Sequence, residues 1–413
     1  MKKYILLVPF LALILVPNTS SAQDDEKLSV KISGFVSAES IFDTRQTVTA
    51  REGDVLLYPE KKLLDGNGED INAKSNFNMF NIHSRVKLSI TAPSFLNAKV
   101  SGMIEGDFAG SANDKIGLFR LRHAIVKLNW KHSELLTGQY WHPMFTLDAF
   151  PQVVSWNAAI PYFPLERCAQ IRYSYSETEN SKFSITASTQ LDFKSTGPIG
   201  PSSDYMRNSA MPELNATYVL GLKSKFLVGA NVGYKTIKPQ LSYLVGGIKY
   251  KSEESLGSYH LSVFSKIKIV KTEVRFGAFY GQNLYDFVML GGYGVSGVNS
   301  KGEPTYTNIT TGSYWLDFDS GLLGKKVDLG IFAGYTKNYG SDKPITGAVY
   351  ARGDVDSSFR ISPRIVYGIG NVKFRGEVSY DVATYGTPDA NYKVQNTYNV
   401  SNTRFLLATT LHF

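Results

Sequence analysis

The chain has 413 residues, a formal net charge of +8 and a single cysteine, Cys168. One thiol excludes an internal disulfide framework, and past the N-terminus no apolar run approaches the ~20 residues of a spanning helix, so any membrane insertion is by strands. Apolar residues almost never recur at helical spacing; they alternate with a period of two, the pattern of strands with two unlike faces.

The N-terminus reads as a secretory signal peptide over residues 1–22. Lys2 and Lys3 precede an apolar run from Tyr4 to Val16, and Ser20-Ser21-Ala22 supplies small residues before a cut at Gln23. The rest, 23–413, reads as one transmembrane β-barrel domain. In the first strand Val30, Ile32, Gly34, Val36 and Ala38 share one face, and Lys31, Ser33, Ser37 and Glu39 the other. After a polar loop the second strand places Phe80, Ile82, Val86, Leu88 and Ile90 outward, with His83, Arg85, Lys87 and Ser89 inward. The third places Glu105 and Asp107 inward. In the fourth, parity conflicts: Phe119 and Leu121 want one face, but Ala124, Val126 and Leu128 want it one residue later. A β-bulge between Arg122 and Ala124 repairs this and turns Arg120 and Arg122 into the lumen.

After Gly138-Gln139-Tyr140-Trp141 alternation stops for roughly two dozen residues rich in Pro and aromatics, then resumes at Ala169. This reads as a long loop folded back into the lumen, with Cys168 a small residue of wall or lip. Beyond it, short turns at 223–225, 270–272, 321–326 and 369–371 alternate with long connections at 284–312, 339–358 and 384–397. Counting gives about 16 strands of an all-β, up-and-down antiparallel barrel; residues 238–254 are assigned to a loop with room for a hairpin, because even counts are the rule for such barrels. Barrels of ~16 strands leave an aqueous channel where small ones are filled by side chains. Phe405, Leu407, Thr409 and Leu411 lead in steps of two to Phe413, a terminal aromatic of the kind that addresses outer-membrane proteins to their assembly machinery.

Four runs then carry a resemblance: Glu105-Gly106-Asp107-Phe108-Ala109-Gly110, Phe119-Arg120-Leu121-Arg122-His123-Ala124, Gly138-Gln139-Tyr140-Trp141-His142-Pro143 and Asp148-Ala149-Phe150-Pro151. In order and spacing they resemble the DcaP-like outer-membrane porins, as do Gly281-Gln282-Asn283-Leu284 and Gly291-Gly292-Tyr293. The resemblance implies a homotrimeric porin for small, often anionic, hydrophilic solutes, surrounded by outer-membrane lipid and lipopolysaccharide. Some relatives carry an N-terminal coiled-coil extension; here only Gln23 to Leu28 precede the first strand.

Inward parity assigns Arg85, Lys87, Arg120, Arg122, Arg172, Arg360, Arg364, Arg375 and Arg404 to the lumen, with Arg167 at its lip and Asp148 and Glu166 as loop acids facing the arginines. Basic groups prevail, and a constriction bearing Arg or Lys filters for anions. The rival reading is that these charges pair in the wall and hold the loop. Asp65-Gly66-Asn67-Gly68-Glu69-Asp70 begins like a calcium loop but has Asp70 where the sixth-place Gly belongs and Asn76 where the twelfth-place Glu does. The six histidines show no ligand spacing, so no metal, cofactor or catalytic residue is expected, and no nucleic-acid partner. An enzyme barrel (lipase- or protease-like) and an adhesin are the alternatives of other classes; Gly294-Val295-Ser296-Gly297 falls a residue short of a nucleophile elbow.

Overall fold

The structure, a computed structural model, describes residues 27–321 and 326–413. The expected signal peptide at 1–22 and residues 322–325 of the expected 321–326 turn lie outside the described residues. Sixteen antiparallel strands close into one barrel: β1 Ser29–Asp43, β2 Arg85–Phe95, β3 Ala98–Asp107, β4 Arg120–Asn129, β5 Ser133–Trp141, β6 Arg167–Tyr175, β7 Ser181–Thr189, β8 Glu213–Leu220, β9 Phe226–Ile237, β10 Leu256–Ile269, β11 Thr272–Gln282, β12 Pro304–Asp319, β13 Val327–Ser341, β14 Val355–Ile369, β15 Val372–Pro388 and β16 Val394–His412. The short strands Asn76–Phe80, Gly292–Val298 and Val349–Ala351 extend the sheet at its long-loop end. Closure is direct: β16 pairs with β1, Gly34 N–H donates to Phe413 C=O at 3.0 Å, and Phe413 N–H returns the bond at 3.1 Å. Closure removes the free edge along which an open sheet would pair with a neighbour.

Each strand has a greasy and a buried face. Along β9, Phe226, Val228, Val232 and Tyr234 are exposed while Leu227, Asn231 and Lys235 are buried. On a water-soluble protein so large an apolar exterior invites aggregation; in a bilayer it is the lipid contact that the fold requires. Short turns alternate with longer connections around most of the barrel, but β15 and β16 run on through much of the long connection expected at 384–397 and leave only 389–393 between them; with sixteen antiparallel strands both ends of the sheet lie on the same side. Residues 238–254 hold the hairpin Ser242–Val245/Ile248–Lys251 and add no strand to the wall.

Two local departures from simple alternation shape the lumen. The fourth-strand bulge is real, and Arg122 is its extra residue: Glu105 registers with His123 and Gly106 with Leu121. In the second strand the expected continuous alternation gives way to a break at 81–84, closed by Ser84 N–H donating to Asn81 C=O. There Ser84 Oγ accepts Ser37 N–H at 3.0 Å. The break reverses parity, so Phe80 and Ile82, expected outward, are buried with Ile41, Ala109, Val154 and Leu406.

The sequence suggested one infolded segment; among the described residues three build the apolar packing inside the barrel. Residues 142–166 bury Met144, Phe145, Tyr162 and Phe163 against the wall residues Phe279, Trp315 and Phe332. Tyr162 packs on Gly334, where a Cβ would stand 2.5 Å from its ring. Residues 283–291 join the same cluster through Leu284, Phe287 and Met289, and Leu165 N–H donates to Phe287 C=O. The third is the hairpin Thr47–Ala50/Val55–Pro59 of the first loop, whose Leu57 and Tyr58 pack with Ile160, Val355 and Tyr385. One side of the lumen is thereby filled by a dry aromatic core, and the charged wall of β2 to β6 is left facing it.

Candidate functional site

Four strands and two loops converge on the charged wall. Arg120 on β4 donates through Nε and Nη2 to Asp107 on β3, at 2.7 and 3.2 Å. Bulged Arg122 reaches both acids of β3, Glu105 Oε1 and Asp107 Oδ2, each at 2.9 Å. Arg85 on β2 approaches Glu105 at 3.6 Å, and Arg167, at the start of β6, pairs with Asp192 in the loop after β7. Aromatic rings order these planes: Arg122 and Arg167 stand over Trp141 at 5.5 and 5.2 Å, and Arg85 over Phe35 and Trp156 at 5.1 and 5.4 Å. A guanidinium stacked this way keeps its charge and its outward donors while shedding water from its faces. Among the described residues, Nε of Arg85 and of Arg167 has no hydrogen-bond partner.

A fifth guanidinium arrives from the first loop. Burial disfavours the charge on Arg51, and the next largest influence is Arg120 beside it. Burial would raise the Asp192 carboxyl, but Arg167 and Arg120 outweigh it and hold Asp192 below the usual range, and so ionised. Arg51, Arg85, Arg120, Arg122 and Arg167 thus face Glu105, Asp107 and Asp192, with positive charge in excess. Asp107 is fully buried, Arg85, Arg120 and Asp192 keep partly exposed side chains, and Arg122 and Arg167 are buried.

The other expected site residues lie elsewhere. Arg360 pairs with Asp381 and donates to Ile160 C=O and Leu57 C=O, tying two infolded segments to β14. Arg404 makes a two-pronged pair with Asp43, at 2.9 and 2.7 Å, and holds Gly53 C=O and Asp54 C=O. Arg364 binds Asp317, which also takes Arg275 and the Gln152 N–H. These three arginines are committed to wall and loops. Lys87 is half-buried in register with Glu105, and half-buried Arg375 lines a surface depression with Glu39. Arg172 donates to Trp141 C=O at 2.8 Å and shares a separate cavity with Asp148, Lys127 and Lys182. Among the described residues no arginine pairs with Glu166: burial, then Asp286 and Glu213, hold its carboxyl well above the usual range, which disfavours a countercharge there.

Histidines scattered in sequence are gathered in space, and two groups invite a metal test. In the first, His142 and His260 point Nε2 at Glu213 Oε1, at 2.9 and 3.2 Å. Met144 N–H donates to His142 Nδ1 at 3.1 Å, which places that ring's proton on Nε2 and makes it a donor to Glu213 rather than a ligand. In the second, His83 Nε2 touches Asp54 directly, closer than the roughly 3.3 Å between two ligands on one tetrahedral ion. Both groups fit hydrogen-bonded networks. The calcium-like stretch is likewise saturated: Asp65 Oδ1 accepts Asn67 and Glu69 N–H, and Asp70 accepts Leu63 and Asn72 N–H.

Arg51, Asp54, His83, Trp156 and Asp192 escaped the sequence reading as site residues. Four lie in loops, outside the parity that located the others, and His83, which parity had turned inward, lies in the strand break and was not singled out. The only signal was the run Val55-Leu56-Leu57-Tyr58, too apolar for a solvated loop.

A closed sixteen-stranded barrel with an apolar belt, infolded loops and a charged inner wall is the fold of the bacterial outer-membrane porins. No protein-family model matches the chain, and no curated protein matches it in sequence. Among solved structures it is similar to the outer membrane channel DcaP of Acinetobacter baumannii, at 17% identity over 96% of this chain and 100% of that one, with a TM-score of 0.68. It is also similar to OmpT of Vibrio cholerae (12% identity, 94% and 99% covered, TM-score 0.56) and to an anion-selective porin from Comamonas acidovorans (12%, 94% and 100%, 0.55). At these identities the likeness is one of fold.

Proposed function

We propose that the chain is a passive diffusion channel for small hydrophilic solutes, that it prefers anions, and that it works as a homotrimer. The observation that carries this reading is the excess of guanidinium over carboxylate on the one wall that the dry core leaves free. Low-dielectric surroundings focus that field and raise the local concentration of small anions, and guanidinium cannot discharge at accessible pH. Arg85, Arg120, Arg122 and Arg167 are the filter; Arg360, Arg364 and Arg404 serve it by holding loops. An anion-selective porin and a trimeric form among the similar structures agree with this reading, as do the expected leader and the terminal Phe413.

The other classes find less support. Ser296 hydrogen-bonds Thr305 at 3.1 Å rather than a histidine, against a nucleophile elbow. In the Arg352-Gly353-Asp354 tripeptide Arg352 is stacked 3.9 Å over Tyr285 and bonded to its carbonyl, so it is not free to be read by a receptor. Reversal potential in a salt gradient tests the filter. The native channel is expected to reverse toward the anion potential, and Arg120→Ala with Arg122→Ala to lose most of that bias; unchanged selectivity in the double variant contradicts the assignment.

A further inference from the structure

We propose that Arg51, carried on the tip of the first-loop hairpin, is a specificity-determining residue of the pore, so that the constriction has two lips, one from residues 142–166 and one from residues 47–59. This rests on the anion-path reading above and assigns it a residue that the barrel wall does not supply.

The hairpin tip is strained. Arg51, Glu52 and Gly53 have φ of 60°, 58° and 98°, three successive residues in the left-handed region, where only the glycine is at ease. Non-glycine residues persist there when their surroundings over-determine them, and such places cluster where a side chain must be aimed.

The surroundings do over-determine it. Arg404 holds Gly53 C=O and Asp54 C=O at 2.7 and 2.9 Å; Asn78 Nδ2 donates to Glu52 C=O at 3.1 Å; Arg51 N–H donates to Asn113 Oδ1 at 2.7 Å. Asp54 is bonded to His83, itself stacked on Trp156 of the opposite lip at 4.8 Å between ring centres. Farther along the hairpin Asn157 Nδ2 donates to Leu56 C=O at 3.0 Å and Tyr385 Oη to Pro59 C=O at 2.7 Å. The backbone of the tip is gripped from β16, from the extension of β2, from the loop after β3 and from residues 156–157.

What this grip leaves free is the Arg51 head group. Glu52 points into solvent, whereas Arg51 Nε is buried beside Arg120, Asp107 and Asp192 with no hydrogen-bond partner among the described residues. A cation placed next to another cation is electrostatically costly unless anions visit both. With Arg51 and Arg120 in one electrostatic neighbourhood, an anion that visits it meets donors from loop and wall at once.

The test is the reversal potential of the full-length protein in planar bilayers under a KCl gradient, for the native chain, Arg51→Ala, Arg51→Glu, Arg51→Lys and, on the outer part of the same loop, Lys61→Ala. Heat-modifiable migration confirms that each variant folds. The anion-to-cation permeability ratio is expected to fall roughly twofold or more in Arg51→Ala, as one of several charges leaves a focused field. It is expected to fall further in Arg51→Glu, to return with Arg51→Lys and to hold in Lys61→Ala. An anion-selective native channel whose ratio is untouched in Arg51→Ala and Arg51→Glu overturns the role of Arg51 and leaves the wall filter standing. A native channel without anion preference overturns both.

Discussion

Single residues in this lumen act by the company they keep. The inward arginines look alike in sequence, yet Arg85 and Arg120 keep partly exposed side chains while Arg360 and Arg404 are buried and spend their donors on carboxylates and loop carbonyls. Glu166 shows the same dependence in an acid. Its folded-state pKa is raised, so the native protein holds a proton there that the unfolded chain gives up above its ordinary carboxylate pKa. Stability from this group is therefore greatest below that ordinary value and declines as pH rises toward the folded pKa, by about 1.4 kcal/mol for each pH unit crossed. Glu166→Gln, neutral at every pH, is expected to match the native melting temperature near pH ~4, the ordinary carboxylate range, and to exceed it increasingly as pH rises from there toward the raised folded-state pKa. Thermal unfolding in detergent across that range checks this, and parallel curves for the two proteins contradict it.

At the scale of elements, the strands were legible and the loops were not. Sixteen strands and the bulge beside Arg122 follow from side-chain parity, because a two-faced wall leaves a period-two record and a bulge leaves a slip in it, while the rule of even strand counts kept 238–254 out of the wall. Phe80 and Ile82 broke the reading because the break at 81–84 resets parity without a glycine or proline to mark it. The infolded first loop left no periodic trace, since its Leu56, Leu57 and Tyr58 answer to Asn157, Ile160 and Tyr385, partners far along the chain. The same distance explains why Asp148 and Glu166 were offered as partners for the arginines when Glu105, Asp107 and Asp192 fill that role. Arg360 is the joint between the two lips. Arg360→Ala is expected to free Leu57 C=O and Ile160 C=O, to give a larger and noisier single-channel conductance, and to cost about 3–5 kcal/mol by leaving Asp381 buried and unpaired. Adding Asp381→Ala should restore much of the stability without quieting the channel. Single-channel recording beside thermal unfolding separates the two effects.

At the scale of the whole molecule, the barrel inverts the usual protein: apolar side chains outside, ion pairs within, and stability drawn from a closed hydrogen-bond cylinder with no disulfide. The lumen is divided lengthwise, a dry core of Phe163, Phe279, Trp315 and Phe332 on one side and the arginine wall on the other. On the proposed reading, the sign of a solute's charge governs its passage along the arginine wall. Recording the native protein alone in a planar bilayer under a salt gradient probes this most directly. Stable conductance steps, grouped in threes, with a reversal potential displaced toward that of the anion, are expected; a sealed bilayer, or a displacement toward the cation, contradicts the anion path.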